Sequence, residues 1–169
     1  MLAVIADTHG TDDPRLAGRA AEAVEAAEAV LHAGDFTTQA VYDAFELAAE
    51  PGSLHAVAGN RDEPALRERL PTTATVEALD RRFVLAHGHE HDRTALSLLA
   101  RQEEADCVIV GHSHRYGIAD LGEVTLVNPG SHADPRGGPA THGEVRRRGD
   151  DVAVEVVSSA GEQQTGGQV

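Results

Sequence analysis

Lysine is absent from this chain of 169 residues, and all 14 of its basic residues are arginine. Against 28 Asp and Glu, they leave a formal charge of −14. Such a surface repels phosphate backbones in bulk, which excludes a general nucleic-acid binder, although a local cationic centre such as a bound metal still attracts an anion. A salt-rich host would favour this balance because salt screens the self-repulsion, whereas a GC-rich coding bias would explain only the exchange of Lys for Arg. The acidity favours the first, so a halophilic protein is expected. A single cysteine, Cys107, lies inside the apolar run Cys107 to Val110. That excludes a disulfide framework and makes a buried small hydrophobe the expectation. No stretch approaches the run of about 20 apolar residues that spans a bilayer, and Leu2 to Ala6 is too short for a signal peptide. A cytoplasmic protein with no membrane partner is expected.

What is present reads as one domain with 41% apolar residues, enough to bury a core. Strand-sized runs at Leu2 to Ala6, Val30 to His32, Leu54 to Ala58, Phe83 to Ala86 and Cys107 to Val110 alternate with helical patterns. Pro14 to Glu28 is expected to be a helix capped by Asp12 and Asp13, Gln39 to Ala49 a helix stopped by Pro51-Gly52, and Arg93 to Glu104 a third. Beyond Gly111, Tyr116 to Ala119, Val124 to Val127, Glu144 to Arg147 and Val152 to Val157 read as short antiparallel strands. The domain is placed at residues 1–157. Residues 158–169, rich in Gly, Gln and Ser, read as a mobile tail. No internal repeat or linker divides the chain.

The chemistry lies at the strand ends. Leu2 to Ala6 runs into Asp7-Thr8-His9, Val30 to Ala33 into Gly34-Asp35, and Leu54 to Ala58 into Gly59-Asn60-Arg61-Asp62. Phe83 to Ala86 runs into His87-Gly88-His89, Cys107 to Val110 into Gly111-His112-Ser113-His114, and Leu126-Val127 into Asn128-Pro129-Gly130-Ser131. In an open α/β sheet, parallel strands deliver their carboxyl ends to one edge, where distant residues converge. Asp7 and His9, like His112 and His114, are two apart, which on extended chain puts both side chains on one face. Carboxylate and imidazole suit borderline divalent ions. Asp7, His9, Asp35, Asn60, His87, His112 and His114 are more donors than one four-coordinate ion takes, and a carboxylate can bridge, so a binuclear centre is expected.

These pieces, in this order over roughly residues 1–157, resemble the calcineurin-like metallophosphoesterase superfamily, and within it the compact phosphodiesterases of bacteria and archaea. The resemblance implies an α/β (α+β layered) fold of two packed mixed β-sheets flanked by helices. It implies one ion held by Asp7, His9, Asp35 and His114 and another by Asp35, Asn60, His87 and His112, with a hydroxide between them as nucleophile. Manganese is the first expectation, with Ni, Co, Zn, Fe or Mg as alternatives. Ser131 and the amides of Asn128 to Gly130 are expected to close the site floor, with His89 at the rim touching a small phosphoester substrate. A homodimer is suggested by the resemblance alone. Larger relatives carry a histidine where this chain has Arg61, and a guanidinium binds phosphate oxygens without readily giving up a proton. Leaving-group assistance is thereby in doubt, and activated diesters are the expected better substrates.

Other readings are weaker. His32, His55, His91, His132 and His142 are expected to be ordinary core or surface histidines. Asp62 either orients a neighbour in the site or caps a helix before Glu63-Pro64. The cluster His87 to Asp92 resembles the metallo-β-lactamase motif with its final acid and histidine exchanged, which leaves Asp7, His9, Asp35 and Asn60 unexplained. Arg146-Arg147-Arg148 reads as a solvated hairpin turn. A non-catalytic scaffold, the role this fold has in eukaryotic retromer, has no need of a full donor set.

Overall fold

A computed structural model of the chain describes residues 1–169. The first half winds as β1 (Leu2–Ile5), α1 (Gly18–Ala26), β2 (Ala29–His32), α2 (Gln39–Ala48), β3 (Leu54–Ala56), α3 (Pro64–Arg69), β4 (Thr73–Ala78) and β5 (Arg81–Ala86). It continues through α4 (Arg93–Gln102), β6 (Cys107–Ile109), β7 (Gly117–Asp120), β8 (Thr125–Asn128), β9 (Thr141–Arg148), β10 (Asp151–Ser158) and β11 (Gln163–Gln168).

The strands form a six-stranded sheet in the order β11-β10-β9-β1-β2-β3 and a five-stranded sheet in the order β4-β5-β6-β8-β7. In the first, β1, β2 and β3 run parallel and β9 pairs antiparallel with β1. In the second, β5, β6 and β8 run parallel, flanked by antiparallel β4 and β7. Both sheets are therefore mixed, with a parallel heart. Strands β1, β2 and β6 and the carboxyl-terminal part of β5 are buried throughout, which is why they read as unbroken apolar runs. In β1, Leu2 and Val4 face the second sheet and meet Phe83, Leu85, Ile109 and Val127, while Ala3 and Ile5 face Val24 and Phe45 of the covering helices. On the far side Val84 and Val108 pack under Leu96 and Ala100 of α4. Helix, sheet, sheet and helix thus stack in layers. Phe83, 0% exposed at the centre of the inter-sheet core, contributes about 2–3 kcal/mol by burial.

Three local expectations are corrected. Helix α1 starts at Gly18 rather than Pro14, because Asp13 Oδ1 takes the amide of Arg15, and Arg15 (φ 52°) and Gly18 (φ 53°) lie in the left-handed region. The segment after β3 holds α3 and β4, which the sequence reading left empty. Third, residues 163–168 are no loose tail but the edge strand β11, antiparallel to β10. Backbone groups hold it there, so its polar, glycine-rich composition carries no signal: Val169 N donates to Val152 O at 2.8 Å, and Arg81 Nε to Val169 O at 2.9 Å. No helix is long and apolar enough to cross a membrane.

Candidate metal centre

The carboxyl ends of β1, β2, β5 and β6 and the loop after β3 meet at one edge of the two sheets. The chain turns sharply there. Asp7, His9, Asp35, His112 and His114 all have φ between 48° and 68°, a region non-glycine residues rarely adopt at a cost of about 1 kcal/mol or more each. Such strain gathers where function over-determines geometry. Gly59 is required by contact, since a Cβ there would collide with the Asp35 backbone and carboxylate.

Asp35 Oδ2 lies 3.4 Å from His9 Nε2 and 3.2 Å from His87 Nε2, between two imidazoles from opposite sheets. His87 Nδ1 donates to Ala33 O at 2.7 Å, which leaves Nε2 as the lone-pair atom, only 3.1 Å from Asn60 Oδ1. Asn60 Oδ1 is also 3.1 Å from His112 Nδ1. On the other flank His9 Nε2 and His114 Nε2 stand 3.1 Å apart with rings stacked, and His114 Nδ1 is committed to Asp134 O at 2.5 Å. His114 Nε2 is 3.8 Å from Asp7 Oδ1. Asp7 itself is 0% exposed, its Oδ1 accepting the amide of His112 at 3.0 Å and its Oδ2 buried without any partner. The donor atoms of Asp7, His9 and His114, and those of Asp7, Asp35 and His87, each lie within 4.8 Å of one another.

Acceptor atoms of carboxylates, an amide and imidazoles therefore converge, and the orphaned Asp7 Oδ2 carries a burial cost that a cation removes. Burial pushes Asp7 up to about 6, against the opposing charges of His87 and His114. Burial also pushes Asp35 up, but the hydrogen bond and charge of His87, the Arg61 amide and His9 outweigh it and hold Asp35 below the usual carboxylate value. Burial pushes His87 down, and Asp35 overrides this to leave it raised. His9 and His112 are lowered, chiefly by burial, which keeps both neutral and able to ligate. By its orphaned oxygen and its donor chemistry this set fits divalent ions.

Arg61 and His89 stand at the rim. The Arg61 amide donates to Asp35 Oδ1 at 2.7 Å, and its exposed side chain, with Arg136, helps to line a cleft of about 90 Å3 above the donors. The His89 ring lies 5.3 Å from that of His87 and 6.2 Å from that of His112. Ser131 is elsewhere. It is 1% exposed, its Oγ donating to Asp7 O at 2.7 Å and accepting from the amides of Ala133 and Asp134, so it braces the Asp7 turn from below and does not line the cleft. The Gly130 amide is likewise spent on Asn128 Oδ1 at 2.9 Å. Asp62 does not cap α3, whose N-cap Glu63 makes no side-chain capping bond and instead accepts the Gln39 amide at 2.9 Å. The Asp62 carboxylate, 3% exposed, accepts from the amides of Gly59 at 2.7 Å, Thr37 at 2.8 Å and Asp35 at 3.3 Å. His32 is a satisfied core histidine, bonded to Thr8 Oγ1 at 2.9 Å and stacked on Phe36. Sequence reasoning missed Asp134 and Arg136, for which no motif gave a signal.

A family model for the calcineurin-like phosphoesterase superfamily domain matches residues 1–146. A probable metallophosphoesterase of Methanothermobacter thermautotrophicus is 34% identical over 146 residues, covering 80% of this chain and 79% of its own. Among solved structures, a vacuolar protein sorting 29 protein of Entamoeba histolytica in complex with zinc superimposes with a TM-score of 0.73 at 23% identity, over 99% of this chain and 97% of that one. A protein described as a novel archaeal phosphodiesterase gives 0.66 at 21% identity, over 99% of both chains. With the sandwich, the edge-on donor cluster and the matching domain in agreement, this chain belongs to the calcineurin-like phosphoesterase superfamily.

Proposed function

We propose that the chain is a metal-dependent phosphodiesterase with a binuclear centre. The observation that carries the reading is Asp35 Oδ2 between His9 Nε2 and His87 Nε2, beside the partnerless Asp7 Oδ2. Asp7, His9, Asp35 and His114 would hold one ion, and Asp35, Asn60, His87 and His112 the other. Carboxylate, amide and imidazole together suit borderline divalent ions, with manganese the first to test and Ni, Co, Zn, Fe or Mg the alternatives. When bound, such a pair supplies hydroxide at neutral pH and offsets the charge that builds on phosphorus during in-line displacement.

The chain's own residues do the rest. Asp35 presents one oxygen to both halves of the site while the Arg61 amide fixes the other. Ala33 O and Asp134 O set the tautomers of His87 and His114, so that Nε2 of each faces the centre. Arg61 and Arg136 border the cleft and attract a phosphate into an otherwise acidic molecule. Neither guanidinium readily delivers a proton to a departing alkoxide, so activated leaving groups should depart faster. A scaffold role is the second reading, favoured by likeness to the vacuolar protein sorting 29 protein. Against it, Leu47 and Leu98, the exposed large hydrophobics, sit on different helices and form no docking patch.

The test is a panel of phosphodiesters and phosphomonoesters against protein loaded in turn with Mn, Ni, Co, Zn and Mg. Diesters should be turned over faster than monoesters, and nitrophenyl diesters faster than alkyl ones. Equal rates across leaving-group pKa contradict the missing acid. Asp35→Asn and His87→Ala should each lose roughly 100-fold or more. Activity retained in both refutes the mechanism.

A further inference from the structure

We infer, building on the phosphodiesterase reading, that a cavity beside the metal cleft receives one arm of the substrate, and that this arm is a nucleotide: a flat ring joined to a second phosphate. The cavity, about 300 Å3, is lined by His114, Arg115, Tyr116, Arg136, Gly137, Gly138 and Pro139. His114 and Arg136 also line the metal cleft, so the two spaces share a wall and one ligand can reach both. Its volume is at the lower end for a small-molecule site, enough for a ring and a sugar rather than a polymer.

The charge in this cavity is uncommitted. Six of the 14 arginines pair with carboxylates. Arg115 and Arg136 are among the eight that do not, and both are exposed and border this cavity beside the metal cleft. Guanidinium forks left free beside a phosphate site match a second phosphate group.

The ring is as particular. Phe36, Phe45 and Phe83 are 0% exposed and Tyr42 is 6% exposed, all in the core. Of the three Phe and two Tyr, Tyr116 alone stands outside it, half-buried, and it lines this cavity. Gly138 leaves the space beside the ring open: a Cβ there would already touch Tyr116 Cε1 at 3.4 Å, and any longer side chain would occupy that space. An aromatic face flanked by cations stacks heterocycles, an advantage of about tenfold or more per ring.

The experiment is a calorimetric titration of the manganese-loaded protein with adenosine 3′,5′-bisphosphate and with inorganic phosphate. The bisphosphate should bind at least about tenfold more tightly than phosphate. That advantage should fall about tenfold in Arg115→Ala and in Tyr116→Ala, and survive in Tyr116→Phe. Gly138→Val, an exposed change that fills the cavity, should abolish it as well. Equal affinities in the wild type, or an advantage retained in Arg115→Ala and Tyr116→Ala together, overturn the assignment. Tighter binding of a ten-nucleotide single strand than of the bisphosphate would overturn the small-molecule class. Turnover of bis(p-nitrophenyl) phosphate in the same samples separates the two readings. If it is absent while the binding advantage is intact, the phosphodiesterase falls and the subsite stands; the reverse pattern refutes the subsite alone.

Discussion

Three backbone amides on two different loops depend on the carboxylate of Asp62, although it faces no substrate. Because it ties the Gly59-Asn60 turn to the Asp35 turn, it sets the spacing between the donor of one loop and the shared carboxylate of the other. Replacing it with alanine strands buried N–H groups and loosens that spacing. Asp62→Ala should cost about 2–4 kcal/mol in urea denaturation and weaken metal binding by roughly 10- to 100-fold. An unchanged metal affinity would show that the loops hold their spacing without it. The comparison with Ser131 explains what the sequence makes legible at this scale. Asp7, His9, Asp35, Asn60, His87, His112 and His114 were recognisable because their side-chain chemistry itself is the signal. Ser131 sits in an equally recognisable motif but turns its hydroxyl onto Asp7 O. Asp62 and Arg136 act through direction and neighbourhood, which residue type does not encode.

At the scale of elements, Glu144 locks α1 onto β9. It is 3% exposed and takes a bidentate pair from Arg19 at 2.7 and 3.0 Å, Arg146 Nη2 at 2.6 Å and His142 Nε2 at 3.1 Å. Burial alone would raise its pKa, but His142, Arg19 and Arg146 drive it far below the ordinary carboxylate value of 4.5. The unfolded chain therefore takes up this proton first as pH falls. The stabilisation is complete above about pH 5 and drains away below 4.5. Glu144→Gln should destabilise the fold by about 2–3 kcal/mol at pH 7, with the gap to wild type closing as pH drops toward 3. A gap that does not change with pH would assign the loss to packing. Strands such as β1, β2 and β6 were legible as apolar runs, because burial on both faces leaves that imprint. The start of α1 was not, since Asp13 looks like a cap but bonds only the Arg15 amide, two residues on. Nor was β11, which is held by backbone groups.

The whole molecule carries 28 acidic against 14 basic side chains, and those arginines that pair do so locally. Net self-repulsion remains and is screened by salt. Tm should therefore rise by about 5 °C or more between 0.1 and 2 M KCl. A flat or falling curve would remove the salt-rich origin and leave coding bias as the source of the missing lysine. The layered architecture was legible from the alternation of apolar runs and helical patterns. The convergence of both sheets on one edge was legible because every donor follows a strand's carboxyl end. The most direct test of the central claim is an equilibrium titration of metal-free protein with Mn2+, counting bound ions per chain. Two ions in the wild type and fewer in Asp35→Asn are predicted. One ion or none, or two still held by Asp35→Asn, would contradict a centre bridged by that carboxylate.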